Sequence, residues 1–407
     1  MKKVWQKRQL GELAELRGRI GWRGLTAKEY TKEGPLFLSV HSLNYGENVS
    51  FQDAFHISEE RYAESPEIML QPNDVLICKD GAGIGKVGIV GKLPDRTTIN
   101  SSLLLIRSGK EILPKFLYRC LSSPYFQEIV QSRLNGATTP HLYQRDITEF
   151  PIVLPPLVEQ QRIVAVLDEA FAGLATAQAN AEKNLQNARE LFDSYLDAVF
   201  TKRGKGWVKK PLEAVTTILN GYAFKSADFS PNACVKCIKI TNVGIREFVA
   251  QCDSYLPAGF SKEYSPVAVK SGSIVIALTR TIISGGLKVA VVPDEYDRAL
   301  LNQRVAAIQT DAAVLGSAFL FAYLSTQAVA DYVIQHVNTL MQPNLSIADL
   351  RTLPVPVPPR EVQYETTTQL DALAAETQRL QKIYEQKLVA LVELKKSLLH
   401  QAFSGEL

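Results

Sequence analysis

The chain has 407 residues, of which 46% are hydrophobic and 21% charged, and a formal net charge of +3. This composition is typical of a globular protein, and the length predicts two or three domains. No apolar run approaches 20 residues and no signal-peptide pattern opens the chain, so we expect neither a membrane span nor secretion. Five cysteines, an odd number, favour a reducing cytoplasm. The single Cys234-x-x-Cys237 pair lacks the second pair that a zinc site requires.

Residues 1–156 predict a first globular unit of mixed strands and helices. Apolar runs bounded by turn residues predict its strands, and apolar residues at helical spacing predict a helix over Phe116–Leu134. The predicted strands are Pro35–Val40, Val75–Cys78, Lys86–Val90, Ile99–Arg107 and Ile147–Leu154.

A glycine-rich stretch, Asp80-Gly-Ala-Gly-Ile-Gly-Lys-Val87, superficially resembles a phosphate-binding loop. That loop requires a glycine at its first position and a hydroxyl residue after the lysine. Asp80 and Val87 occupy those two positions here, so a glycine turn between two strands is the favoured interpretation.

The stretch Leu157–Phe200, entered through Pro155-Pro156, predicts one long helix. Its apolar positions recur in steps of four and three, which indicates a coiled-coil seam. At 1.5 Å per residue this helix would be about 66 Å long, which suits a spacer between two domains. The seam consists of Ile163, Leu167, Ala170, Leu174, Ala177, Ala181, Leu185, Ala188, Phe192, Tyr195 and Val199.

The whole arrangement occurs twice, at an offset of 202–203 residues. Pro358-Pro359 repeats the proline pair, and Arg360–Phe403 repeats the helix. Its second seam consists of Thr366, Leu370, Leu373, Thr377, Leu380, Tyr384, Lys387, Leu391, Leu394 and Leu398. Two such helices in one chain are predicted to pack antiparallel. Identical positions cluster near the helices, whereas residues 17–70 and 219–265 hardly match. The two globular units therefore share a framework and differ in their middle segments.

Charge is distributed unevenly between these parts. The first helix carries a net charge of −4 and the second 0, so the remainder of the chain carries +7. Residues 1–30 alone contain eight Lys or Arg against three Glu. Basic globular units joined by neutral or acidic helices favour a nucleic-acid-binding protein, although basic clusters also occur on surfaces that bind nothing.

No motif for catalysis or metal binding was found: the five histidines have no ligand spacing, and no nucleophile motif is present. Candidate DNA contacts are instead basic, amide, hydroxyl and aromatic residues in loops, which are suited to phosphates and base edges. Each could equally be an ordinary solvated residue. The candidates are Arg17, Arg19, Trp22, Arg23, Lys79, Lys86 and Gln144 in the first unit, and Tyr222, Phe224, Lys225, Thr241, Asn242, Arg246, Arg280, Lys288 and Gln342 in the second.

These features resemble the specificity (S) subunit of Type I restriction–modification systems. The first motif series that carries the resemblance consists of Thr139-Pro-His-Leu142, Phe150-Pro-Ile, Leu154-Pro-Pro-Leu and Gln160-Gln-Arg-Ile163, and a weaker copy of it runs from Gln342-Pro-Asn-Leu345 to Gln363. Two further stretches resemble the family: Asn220-Gly-Tyr-Ala-Phe-Lys-Ser226, which is like the usual opening of a recognition domain, and the closing Gln401-Ala-Phe-Ser-Gly-Glu-Leu407. The first unit departs from the family in having Ile20-Gly-Trp-Arg23 where the second has the Gly-Tyr-Ala-Phe opening.

The resemblance implies an α+β fold with two target recognition domains separated by two long helices packed as an antiparallel coiled coil, with an internal pseudo-twofold repeat. The expected parts are recognition domain 1 (1–156), spacer helix 1 (157–203), recognition domain 2 (204–358) and spacer helix 2 (359–407). Each domain would recognise one half of a split site in double-stranded DNA.

The resemblance also implies partners and cofactors. Two modification (methyltransferase) subunits would dock on the helices, with restriction (motor-nuclease) subunits as further partners. S-adenosylmethionine, ATP and Mg would be held by those partners, and this chain would be a non-catalytic cytoplasmic subunit without cofactor or metal. The alternative is a coiled-coil scaffold that binds only proteins; it predicts no steep salt dependence of DNA binding.

Overall fold

A computed structural model describes residues 5–19, 25–134, 141–202, 206–251, 254–283, 286–336 and 344–407. The contacts divide the chain into unit 1 (Met1–Glu182 and Gln386–Leu407) and unit 2 (Lys183–Glu385). Both boundaries fall inside long helices, at positions 203 residues apart. Within the described ranges, no helix is long and apolar enough to cross a membrane.

The first half of the chain alternates short strands and helices and ends in a long helix. Its strands are β1 (Gln6–Gln9), β2 (Ala14–Arg17), β3 (Thr31–Leu38), β4 (Phe55–His56), β5 (Val75–Cys78), β6 (Val87–Ile89), β7 (Thr97–Ile99), β8 (Leu103–Ser108) and β9 (Pro151–Leu154). Its helices are α1 (Leu10–Leu13), α2 (Glu59–Ala63), α3 (Pro114–Leu121), α4 (Pro124–Leu134), α5 (Gln144–Thr148) and α6 (Leu157–Thr201).

The second half repeats this order. Its strands are β10 (Val208–Pro211), β11 (Thr216–Asn220), β12 (Cys237–Ile238), β13 (Ile274–Ala277), β14 (Ile282–Ile283), β15 (Gly286–Leu287), β16 (Val289–Val291), β17 (Leu300–Leu301), β18 (Val305–Thr310) and β19 (Pro354–Val357). Its helices are α7 (Phe260–Glu263), α8 (Ser317–Leu324), α9 (Gln327–His336), α10 (Ile347–Thr352) and α11 (Arg360–Ser404).

Each unit contains an antiparallel four-stranded sheet with the same strand order. The order is β2-β8-β5-β6 in unit 1 and β11-β18-β13-β16 in unit 2. A two-stranded ribbon, β1 with β9 or β10 with β19, leads into each long helix. The remaining strands repeat only in part: the parallel pair β3-β7 of unit 1 has its counterpart in the parallel pair β12-β17 of unit 2, whereas strand β4 extends it in unit 1 and the pair β14-β15 is added in unit 2. The repeat is therefore in the framework.

The central strand of each sheet is buried on both faces, because successive side chains of a strand point to opposite sides. In unit 1, Val75 and Ile77 pack with α3 and the long helices, while Leu76 and Cys78 pack with residues from 38–70. Strand β13 divides its four side chains between two cores in the same way. One core thus belongs to the framework, and the unrepeated middle segment builds the other.

The two long helices run antiparallel, as predicted. In unit 1, Arg162 near the start of α6 donates to the Leu407 carbonyl, with Nη2 and O 2.7 Å apart. In unit 2, the Tyr195 hydroxyl near the end of α6 lies 3.1 Å from Gln369 Oε1 near the start of α11. The predicted α+β fold with two long, antiparallel helices and an internal repeat is confirmed.

The predicted seam shifts by one residue near the end of each helix. In α6 the predicted Tyr195 is exposed while Leu196 is buried, and in α11 Leu399 is buried in place of Leu398. The reason is that the last turns of each helix pack into a globular core: Leu196 joins the framework core of unit 2, and Leu399 that of unit 1.

Three local predictions were only partly right. The predicted strand Ile99–Arg107 is two strands in different sheets, separated by a turn in which Asn100 Oδ1 accepts from the Ser102 N–H at 3.2 Å. The helix over Phe116–Leu134 is broken at Ser122–Ser123 before Pro124, which cannot continue it. The last strand begins only at Pro151, because helix α5 precedes it.

A buried glutamine fixes the start of each long helix. Gln160 is 0% exposed; its Oε1 accepts from the Leu113 N–H at 2.8 Å, and its Nε2 donates to the Glu111 and Pro155 carbonyls, both at 2.9 Å. Gln363 repeats all three bonds with the equivalent groups, namely the Gly316 N–H and the Val314 and Pro358 carbonyls. Each glutamine therefore ties its helix to the framework of its own unit.

An ion cluster in unit 1 joins α3 to α6. Arg119, with a side chain only 6% exposed, lies 2.8 Å from Asp168 and 2.7 Å from Glu47. Lys115 lies 2.7 Å from the same Asp168, and the Arg119 guanidinium covers the ring of Phe171 at 4.7 Å. Because Glu47 belongs to the unrepeated segment, the cluster connects that segment to the long helix.

This cluster predicts an acid-sensitive contribution to stability. Burial raises the pKa of Asp168, but hydrogen bonds from Lys115 and Arg119 outweigh it and hold this pKa below its ordinary value. A carboxylate with a lowered pKa stabilises the fold fully above its unfolded pKa, about 4, and loses that contribution as the pH falls through the folded pKa.

We expect Asp168→Asn to flatten the fall in the free energy of unfolding below about pH 4, measured by urea unfolding from pH 7 to pH 3. Asp371→Asn serves as the matched control, since Asp371 is the equivalent residue and has no ion pair within the described part of unit 2. Identical pH profiles for wild type and Asp168→Asn would contradict the assignment.

Candidate nucleic-acid interface

Three segments of unit 1 meet at the end of its four-stranded sheet. Asp80, just after β5, forms a bridge with His141, and its carboxylate also bonds the His141 ring. The Gln144 amide donates to the Leu16 carbonyl at 3.0 Å. These bonds hold the ends of β2 and β5 beside the start of α5.

Three predicted DNA contacts are brought together there. Arg17 is the last residue of β2, and it pairs with Glu15 at 2.6 Å. Next to it, the Cβ position of Gly18 lies 3.6 Å from Gln144 Oε1 and 3.8 Å from Lys79 Nζ. A lysine, an arginine and an amide at one sheet end can contact phosphates and base edges.

Arg19, in contrast, is directed into the protein. Its side chain is 5% exposed and lies 3.8 Å from Glu64. Burial, and then the positive charge of Arg61, lower the pKa of Arg19. Its geometry is that of a structural ion pair. The predicted contacts Trp22 and Arg23, and Gln342 in the second half, lie outside the described residues.

The same framework position exists in unit 2. Thr279, just after β13, forms a bridge with Asn344, and the Leu345 N–H donates to the Leu278 carbonyl at 2.9 Å. Arg280 follows with a left-handed backbone, φ 50°. Arg280 is therefore placed at the sheet end that corresponds to the Lys79 region of unit 1.

Lys86 and Lys288 occupy equivalent places and bond to the unrepeated segments. Lys86 Nζ donates to Asn44 Oδ1, and Lys288 Nζ donates to the Ile240 carbonyl, both at 2.6 Å. Burial, followed by the nearby charge of Arg280, lowers the pKa of Lys288. The predicted glycine turn does lie between β5 and β6. In this structure both lysines act as internal anchors.

An aromatic cluster lies at the predicted site in unit 2. Tyr222 is 46% exposed and packs against Phe224 and Tyr264, with ring centroids 5.1 and 4.6 Å apart. Phe224 is buried beneath it, and Lys225 is exposed beside it. The turn requires glycine at position 221, since a Cβ there would lie 2.1 Å from the Asn302 carbonyl oxygen.

Tyr264 is part of this cluster and was not predicted. A hydrogen bond to Glu263, then burial and a hydrogen bond to Tyr222, raise the pKa of Tyr264 to about 12. The sequence does contain a signal, because the aromatic residues Phe260, at the start of α7, and Tyr264, directly after its end, are four positions apart. Nothing in their spacing connects them with Tyr222, some 40 residues earlier.

The remaining predicted residues of unit 2 lie in three different environments. Thr241 is exposed. Asn242 is buried, and its amide donates to the Val249 and Gln251 carbonyls, both at 2.9 Å. Arg246 faces α6, where it lies 2.5 Å from Asp193 and covers the Phe192 ring at 5.5 Å.

The described residues therefore bring Arg17, Lys79 and Gln144 together in unit 1, and they leave Tyr222, Lys225, Thr241 and Arg280 exposed in unit 2. Partners within the protein instead engage Arg19, Phe224, Asn242, Arg246 and Lys288, and Lys86, although exposed, donates to Asn44. Which of these residues contact DNA stays a prediction.

Comparison with known proteins gives a consistent result. The chain matches the Type I restriction modification DNA specificity domain twice, over residues 2–185 and 204–387. It is 26% identical over 357 residues to the Type I restriction enzyme MjaVIII specificity subunit of Methanocaldococcus jannaschii, covering 84% of this chain and 80% of that protein.

Two solved structures have a similar fold. A chain from a structure of a type I restriction–modification system has a TM-score of 0.77 at 18% identity, covering 99% of this chain and 98% of that one. The HsdS subunit from Thermoanaerobacter tengcongensis has a TM-score of 0.63 at 19% identity, covering 99% and 97%. With both halves matched, this chain belongs to the Type I restriction–modification DNA specificity family, whose members are non-catalytic DNA-recognition subunits.

Proposed function

We propose that unit 1 and unit 2 each recognise one half of a split DNA site, and that α6 and α11 fix the spacing between the halves. The observation that carries this proposal is the repeat of the framework together with the difference between the middle segments. Equal frameworks suit two equivalent placements on one duplex, and unequal surfaces suit two different half-sites. The contacts would be made by Arg17, Lys79 and Gln144 in unit 1, and by Tyr222, Lys225, Thr241 and Arg280 in unit 2.

The partners follow from the same repeat. A chain with two equivalent frameworks offers two equivalent docking surfaces, and identical partners occupy such surfaces symmetrically. We propose that two modification subunits dock there and bring S-adenosylmethionine for adenine methylation. Restriction subunits would add ATP- and Mg-dependent translocation and cleavage, and the whole complex would work in the cytoplasm.

A genome-wide map of methylated adenine tests this function. In the source cell, deletion of this gene is expected to remove methylation from one split motif with a fixed gap. The deletion should leave every other methylated motif unchanged, and the lost motif should return when the gene is restored. Loss of no motif, in a strain that expresses the chain, would contradict the proposal.

The aromatic cluster yields a half-site prediction. We expect Tyr222→Ala with Lys225→Ala to weaken DNA binding by tenfold or more, since losing the recognition of one base pair of a duplex costs about 1–3 kcal/mol. Competition with duplexes in which one half-site is scrambled would show which half-site has lost affinity. The loss of affinity should be confined to one of the two half-sites.

The matched control is Tyr125→Ala, because Tyr125 has nearly the same exposure, 45%, outside the candidate interface. Equal loss at both half-sites in the double variant would contradict a model with two independent recognition units.

A further inference from the structure

The ion cluster of unit 1 has no equivalent in unit 2. The counterparts of Lys115, Arg119 and Phe171, each 203 residues later, are the alanines Ala318, Ala322 and Ala374. Asp168 alone is retained, as Asp371. Two cations and an aromatic ring are thus missing from a position where the framework is otherwise repeated.

A groove of about 840 Å³ lies at that position in unit 2. The three alanines and Asp371 line it, and Phe192 and Leu370 add apolar surface. This volume lies within the range of protein sites that accept a ligand of several side chains. At the equivalent positions of unit 1, the larger side chains of Lys115, Arg119 and Phe171 contact Asp168 and one another in place of the three alanines.

The charges of the groove are unbalanced. Its two arginines already have acidic partners: Arg246 pairs with Asp193 at 2.5 Å, and Arg189 with Glu385 at 3.4 Å. Asp371 is exposed at the groove and has no ion pair within the described residues. An occupant that brings a positive charge to Asp371 would reproduce the pairing of Asp168 with Lys115 and Arg119.

We propose that this groove binds one segment of a modification subunit, and that the segment carries an arginine for Asp371 and an aromatic side chain for the space left by Ala374. Unit 1 supplies the template, because Arg119 satisfies Asp168 there while stacking on Phe171. The inference rests on the proposed function for the identity of the partner. Because Lys115, Arg119 and Phe171 occupy the equivalent position in unit 1, only one modification subunit makes this contact with each chain. Contacts with the repeated framework would be made by both modification subunits.

The test fills the groove with the residues of unit 1. The double variant Ala322→Arg with Ala374→Phe should be at least as resistant to heat as wild type, because it restores an arginine–aspartate–phenylalanine contact. Native mass spectrometry with the modification subunit of the same system should show two copies on the wild-type chain. We expect the filled variant to hold only one copy, or to bind its second copy at least tenfold more weakly.

A matched control places the same side chains nearby. Ala372→Arg with Ala375→Phe alters two exposed alanines of α11 that do not line the groove, and it should bind as wild type does. Asp371→Asn, which preserves shape, should weaken the same binding step several-fold and reduce its salt dependence.

Two outcomes would overturn the inference, and they differ. If the filled variant binds two copies with wild-type affinity, the groove is not a docking site, and the proposed function stands. If the wild-type chain binds no modification subunit, the proposed function fails together with the occupant inferred here.

Discussion

Insertion of seven residues after Glu182 in α6 and after Glu385 in α11 is expected to widen the gap in the recognised DNA site by about three base pairs. Seven residues are two helical turns and add about 10 Å at 1.5 Å per residue, and one base pair occupies about 3.4 Å. The two positions are equivalent and coincide with the boundaries between the units, so neither framework core is changed. Binding to duplexes with gaps varied one base pair at a time would measure the shift.

The insertion tests the spacer role separately from recognition. Both half-sites should stay the same, since no residue of either candidate interface is altered. The same insertion in α6 alone should abolish binding to every gap, because the two helices then lose their antiparallel register. A double insertion that leaves the preferred gap unchanged would show that the helices do not set the spacing.

Gln160→Leu is expected to destabilise unit 1 severely, and Gln363→Leu to do the same to unit 2. Leucine has a similar volume but cannot donate or accept, so one backbone N–H and two carbonyls lose their partner in a buried junction. Each buried group left without a hydrogen bond costs about 1–3 kcal/mol, so the three groups together predict a loss of about 3–9 kcal/mol in the free energy of unfolding. That is a large fraction of a typical domain's stability.

Neighbouring Gln161 provides the control. It is exposed, so Gln161→Leu should change the free energy of unfolding by less than about 0.5 kcal/mol. Urea unfolding of the three chains would compare them. Equal stability of Gln160→Leu and Gln161→Leu would mean that the buried amide contributes nothing at the junction.

The framework could be predicted from the sequence because its signals are long and occur twice. The spacing of Leu157–Phe200 predicted α6 to within one residue of its observed end at Thr201, and the offset revealed α11. Periodicity missed the one-residue shift at Leu196 and Leu399, since those turns face a globular core whose position depends on distant strands.

The candidate site was harder to predict. Residue type identified basic and amide side chains, but not their direction. Arg19 and Arg246 have the chemistry of phosphate contacts, yet each is paired with an acid inside its own unit. Asn242 has the chemistry of an adenine contact, yet it closes a loop through two backbone carbonyls. Those partners are seven or more residues distant in the chain, so no local pattern reveals them.

The two anchoring lysines have a consequence for exchange of specificity. Lys288 holds its recognition segment through a backbone carbonyl, that of Ile240, which every amino acid provides. Lys86 holds the other segment through the side chain of Asn44, which few residue types can replace. A foreign segment grafted into unit 2 therefore has to follow the same chain path only, whereas one grafted into unit 1 must also bring an acceptor side chain. Unit 2 is thus the more permissive half for evolving or engineering a new DNA target.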